Sequence, residues 1–185
     1  MELGMPALAI WSPEDEVLGA VAPLALGAAA GTALVVDLDP EGPRYPGDVT
    51  LAGLVDDGPT KADLAPQRRG VAVVRNGGVD PHEAEDVLHA LIEGWPAVVF
   101  RLPSDHIGDG SAIPVLPLVP GALTRRPTGA AVYQRSAWRV QIPAGGVVLP
   151  RPGAGTIGGL LAGRAPHPGD RWIRAWRRVW RQSWV

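Results

Sequence analysis

Apolar positions along this chain fall into short runs, and the spacing within each run separates strands from helices. Residues 32–39, TALVVDLD, form a run rich in β-branched residues and bounded by Gly31 and Pro40, the mark of a short strand buried on both faces. PALAIW at 6–11, GVAVVRNGG at 70–78 and PAVVFRLP at 96–103 read the same way. AIPVLPLVPG at 112–121 gives a fifth strand, which Pro114 and Pro117 assign to an edge or an irregular path. Between these runs the periodicity changes. After the first strand, SPEDE supplies a Ser12 cap, Pro13 at the first helical position and acids over the first turn, predicting a helix to about Ala30. A loop through Gly42 and Pro46 leads to a short helix near 49–58. PHEAEDVLHALIEG at 81–94 places Ala84, Val87, Leu88 and Leu91 on one face behind a capping Asp80.

Strands alternating with helices predict a three-layer α/β fold, a mostly parallel sheet with flanking helices. From 122 to 168 the pattern weakens: residues 130–142 alternate only in part, and GTIGGLLAG at 155–163 predicts a short helix. DRWIRAWRRVWRQSWV at 170–185 then reads as an amphipathic helix capped by Asp170. The division expected is an α/β domain over 1–168 followed by this helix over 169–185.

Composition narrows the class. With 185 residues and 46% hydrophobic side chains the chain has the length of one domain and enough apolar matter for a core. Its 24 Gly and 20 Pro punctuate apolar segments without any repeat, as turns do. There is no cysteine, hence no disulfide framework or thiol chemistry. One Lys against sixteen Arg suits a high-GC bacterial genome. The start Met1-Glu2-Leu3 has no basic secretory leader, so the expected compartment is cytoplasmic. Residues 17–36 carry no charge over about the length of a membrane span. Pro23, Gly27 and Gly31 interrupt them, and helix plus strand is the better division. The net charge of −2 conceals a polarity: residues 1–110 hold eighteen acids and six bases, residues 111–185 eleven Arg and only Asp170. A C-terminal part of that kind offers itself to an anionic partner.

The order of elements, together with Asp37-Leu38-Asp39-Pro40-Glu41-Gly42, resembles the ParA/MinD family of deviant-Walker (SIMIBI-type) ATPases, whose D-x-D-P-Q-G element it matches over a similarity spanning about residues 5–121. The resemblance implies a P-loop NTPase-like topology. It also makes two departures visible. That family has a glycine-rich, lysine-bearing loop after the first strand, where backbone N–H groups and an ammonium neutralise phosphates. Here the stretch is Trp11-Ser12-Pro13-Glu14-Asp15-Glu16, with three acids. The family's fourth strand ends in a Mg²⁺-associated Asp, and this chain has Arg101, which no metal accepts as a ligand. The phosphate-binding loop is therefore missing, and Asp37, Asp39 and Arg101 are expected to form a degenerate, closed nucleotide site in which the guanidinium pairs with the carboxylates. No cofactor is expected.

The C-terminal helix is the second candidate site. Trp172, Trp176, Trp180 and Trp184 recur every four residues, opposite Arg171, Arg174, Arg177, Arg178 and Arg181. Such a helix suits an anionic membrane interface or a protein partner, and the ParA/MinD resemblance implies the membrane. The alternative is that the tryptophans pack on the sheet. Nucleic acid is a third partner class, through Arg and Trp, and a homodimer remains open. Two other signals are discounted. Gly153, Gly155 and Gly158 match a dinucleotide pattern with no following strand. His82 and His89 lack a third metal ligand. The functional expectation is a ParA/MinD-like pseudo-ATPase acting as scaffold or regulator in cell division, chromosome segregation or pilus positioning, held in part at the inner face of the membrane. The alternatives are a small-molecule enzyme using Asp37 and Asp39, or a nucleic-acid-binding protein.

Overall fold

The computed structural model describes residues 7–13, 15–106, 111–120, 130–142 and 144–184. Among the described residues seven strands form one sheet: β1 Ala7–Trp11, β2 Thr32–Asp37, β3 Gly70–Val74, β4 Val98–Arg101, β5 Ile113–Leu118, β6 Val132–Arg135 and β7 Val147–Leu149. Their spatial order is β3-β2-β4-β1-β5-β6-β7, and every pairing is parallel. The helices are α1 Glu16–Ala30, α2 Leu51–Asp57, α3 Glu85–Gly94, α4 Ala154–Leu161 and α5 Arg171–Arg181. Side chains alternate along each strand, so consecutive residues serve opposite layers. Val35 and Val99 pack with α1, α4 and α5, whereas Leu34, Val36 and Val98 pack with α2 and α3. The sheet thus lies between two helical layers, as the α/β periodicity predicts.

The differences from the sequence reading have local causes. The first helix starts later than Ser12 implies, because Asp15 is its cap and accepts the Leu18 amide at 2.9 Å. Similarly, α3 begins at Glu85; Asp80 instead closes a turn by accepting the His82 amide. His82 and His89 point outward and are exposed. β5 is not an edge but a fully buried interior strand. It is paired with β1 only at Ile113 and Pro114 and with β6 only from Val115 to Leu118. Neither ladder runs its full length, and the change of partner falls between Pro114 and Val115. The strand at 147–149 carries no sequence signal of its own because three residues are too few to show alternation. Gly153 caps α4, which no further strand follows.

The C-terminal helix resolves the choice between membrane and core for its aromatic face. Trp172 and Trp176 are 1% and 0% exposed and meet edge to face at 5.8 Å, and Ile173 and Val179 are buried with them. Trp172 donates its indole N–H to Gln134 Oε1 of β6 at 2.6 Å, and Trp180 donates to the Leu26 carbonyl of α1 at 2.9 Å. Half-buried Trp184 turns back to the Val179 carbonyl at 2.8 Å. The stripe at Trp172, Trp176, Trp180 and Trp184 is therefore an intramolecular packing face, which corrects its reading as a membrane or partner surface. The physical reason lies in α1, which has no charge after Glu16 and is buried on almost every side. A helix apolar all round needs cover above as well as below. The sheet covers one side and α5 the other. Arg171, Arg174, Arg177, Arg178 and Arg181 remain on the exposed outside. No helix among the described residues is long and apolar enough to cross a membrane.

Replacing Trp176 by Ala is expected to cost about 3–5 kcal/mol, the usual range for a buried large aromatic, read as a lowered urea midpoint. The cap of α5 adds a pH dependence. Burial pushes the Asp170 carboxyl up, but hydrogen bonds from the Thr156 hydroxyl and the Ile173 and Trp172 amides outweigh this and hold it below its ordinary value. A depressed carboxylate contributes stability above its unfolded-state value and loses it as pH falls through the folded one. Asp170→Ala should therefore cost about 1 kcal/mol at neutral pH, and the gap to wild type should shrink below the ordinary carboxylate range.

Candidate functional site

The C-terminal ends of parallel strands are where open α/β sheets place their ligands, and the candidate residues lie there. β2 and β4 are neighbours whose register sets Asp37 opposite Arg101. Both side chains share the phase of Val35 and Val99, so they emerge on the α1 side of the sheet. The guanidinium reaches Asp37 Oδ1 through NH1 and Asp39 Oδ2 through NH2, each at 2.8 Å. Its Nε donates to the Gly19 carbonyl in the first turns of α1 at 3.3 Å. All three ionic side chains are buried, with Asp37 2%, Asp39 8% and Arg101 6% exposed.

Backbone donors complete the cluster. Asp37 Oδ1 also accepts the Asp39 amide at 3.1 Å, and Asp39 Oδ1 accepts the Glu41 amide at 3.0 Å. Gly42 lies directly over the ion pair: a Cβ there would overlap the guanidinium and stand 2.8 Å from Asp37 Oδ2. The loop is fastened by Tyr45, whose buried phenol donates to the Ala20 carbonyl at 2.6 Å. Burial pushes the Asp37 carboxyl above its usual range, against the pull of the Arg101 charge and hydrogen bond. For Arg101 burial acts to lower the guanidinium's value, and the charge and hydrogen bond of Asp37 outweigh it, so the cation is held firmly. Burial likewise raises the Tyr45 hydroxyl, which stays a neutral donor.

Three of the four carboxylate oxygens are thus engaged and the fourth faces Gly42. A general base or metal ligand needs a lone pair open to its substrate or ion. Among the described residues no group of three or more His, Asp or Glu side chains has the arrangement to hold a metal. A cleft of about 470 Å³ lies instead at the N-terminal ends of β2 and β4, lined by Ala30, Gly31, Thr32, Arg69, Pro96, Ala97 and Trp180. It is at the far end of the sheet from the acids.

The connection from β1 to α1 is short, only residues 12–15 between Trp11 and Glu16. It has neither the glycines nor the lysine of a phosphate-cradling G-x-x-x-x-G-K-[ST] loop. The N-terminus of α1, the natural seat of an anion, is capped by the chain's own Asp15; Glu14 lies outside the described residues. Buried Ser12 stands beside it. Asp37, Asp39 and Arg101 are visible in sequence as strand-end charges. Gly42 is visible only as the end of the Asp37-Leu38-Asp39-Pro40-Glu41-Gly42 element, Gly19 carries no signal of its own, and for Tyr45 no local signal exists, since its partner is twenty-five residues away.

The sequence matches no protein-family model and no curated protein. Among solved structures the fold is similar to that of a ParA family ATPase from Chlorobium tepidum TLS, with a TM-score of 0.57 at 12% identity, over 97% of this chain and 93% of that one. At that identity the similarity concerns the fold: the parallel sheet, its flanking helices and the overall course of the chain are ParA-like.

Removing Arg101 alone strands two buried carboxylates. Arg101→Met is expected to cost about 3–5 kcal/mol in urea unfolding, and the triple change Asp37→Asn, Asp39→Asn, Arg101→Met should recover most of it, because no uncompensated charge is then left inside.

Proposed function

We propose that this chain is a ParA-like pseudo-ATPase: a protein that keeps the α/β frame, does not hydrolyse ATP, and serves as a scaffold or regulator. The observation that carries the proposal is the four-residue β1–α1 connection, in which Asp15 takes the helix N-terminus that a phosphate would need. The Arg101 ion pair supports it independently, because the cation stands at a strand end and ties up both acids. Cell division, chromosome segregation and pilus positioning are the processes suggested by the ParA/MinD resemblance. The enzyme alternative finds little support in carboxylates this fully engaged.

The inward turn of the tryptophans narrows how α5 would meet a partner. A membrane would have to be held by the five outer arginines through charge, without indoles at headgroup depth. Protein partners are favoured on that ground, with the protein in the cytoplasm.

Titration calorimetry with ATP and Mg²⁺ tests the central claim. The expected result is no binding heat up to about 1 mM nucleotide, a free energy weaker than roughly −4 kcal/mol. Micromolar binding would sink the pseudo-ATPase reading.

A further inference from the structure

The two helical layers carry opposite charge, and the sheet keeps them apart. On one outer surface α5 exposes Arg171, Arg174, Arg177, Arg178 and Arg181. These arginines sit three and four residues apart, spacings at which like charges on a helix repel. None makes an ion pair with a described residue. The helix cannot rotate to relieve this, because Trp172, Ile173, Trp176 and Val179 hold its other face in the core. On the opposite outer surface, α3 and the turn before it expose Asp80, Glu83, Glu85, Asp86 and Glu93. No Lys or Arg occurs between Arg75 and Arg101. Since α3 belongs to the layer under β2–β4 and α5 to the layer over α1, the two sets cannot meet within one molecule.

We propose that they meet between molecules: the arginine face of α5 in one copy docks on the acidic α3 face of the next. The occupant follows from charge complementarity, five exposed cations against five exposed carboxylates presented by the same chain. Nucleic acid and membrane are less suited, because the indoles that would stack on bases or enter headgroups are turned inward. The contact joins different faces of the two copies, so it is heterologous. With the faces on opposite sides of the sheet, each addition leaves one arginine face and one acidic face free, and the assembly grows head to tail rather than closing as a two-fold dimer. This gives the scaffold reading its partner, a second copy, and rests on that reading for its purpose; the contact uses no part of the Asp37–Arg101–Asp39 cluster.

The full chain in sedimentation and light scattering provides the test. Wild type should form species larger than a dimer at low salt, with apparent association falling about tenfold or more as salt rises to several hundred millimolar. Arg174→Glu with Arg178→Glu in one variant, and Glu85→Arg with Asp86→Arg in another, should each remain monomeric. Mixed one to one they should associate again, since each reversed face then finds its opposite. Circular dichroism confirms that both variants are folded, and the salt series on wild type stands if either is not. A wild type that stays monomeric at low salt overturns the proposal, as does an unproductive mixture of folded variants. Binding of a monomeric wild type to phosphatidylserine vesicles or to duplex DNA would overturn it too, assigning the arginine face to that polyanion. ATP binding with assembly intact would instead refute only the pseudo-ATPase reading.

Discussion

The structure depends on one buried cation. Arg101 enters from the end of β4, and everything at that end of the sheet is arranged to keep its charge compensated: Asp37 from the adjacent strand, Asp39 from the loop and the Gly19 carbonyl from α1. Burying such a group is costly unless its hydrogen bonds are filled and its charge is matched. Those partners come from two separate segments, the end of β2 and the start of α1, so the pairing fixes both relative to β4. The loop from Leu38 to Tyr45 then closes over the top, with Gly42 at the one point where a side chain would collide with the guanidinium. A cluster with this geometry serves as an internal clasp between β2, β4 and α1.

How much of this was legible in sequence follows from how local each signal is. TALVVD announces a buried strand and its terminal acids, because a β-branched run between Gly31 and Pro40 has few other solutions. Arg101 was equally visible, since a charge at the end of PAVVFRLP has to be paired or exposed. Their meeting was inferable from parallel strands of similar length. The fastenings were not: Tyr45 reaches α1, and the close approach of Gly42 exists only once Arg101 is in place. Pro114 and Pro117 suggest an edge for a related reason, because sequence gives no view of the strands that flank β5 on both sides.

The C-terminal helix shows ambiguity of another kind. A tryptophan stripe every four residues describes a membrane-facing helix and a core-facing one equally well. So does the uncharged stretch 17–36. Each alone looks like a candidate for lipid, and together they satisfy one another, because a helix without a polar side requires a second cover and α5 is a helix with one apolar side to offer. Trp180 donating to the Leu26 carbonyl shows how directly the two are joined. The informative signal in sequence was thus the pair of unpartnered apolar surfaces, more than either one.

The same complementarity bears on what the fold does. In a nucleotide-dependent switch, the ligand's charge and its loss hold and release the surrounding loops. Here the charges at the ends of β2 and β4 neutralise one another, and the N-terminus of α1 is filled by Asp15, so the loops already have the contacts that a ligand would otherwise supply. A ligand can shift a conformational equilibrium only by its differential affinity for two states. On the proposed reading, with those positions taken by covalently attached groups, nucleotide would have no differential affinity with which to move the equilibrium. On the proposed reading the surfaces of the molecule would therefore be presented constitutively, and control of its assembly would fall to concentration, salt and the availability of partners rather than to nucleotide turnover.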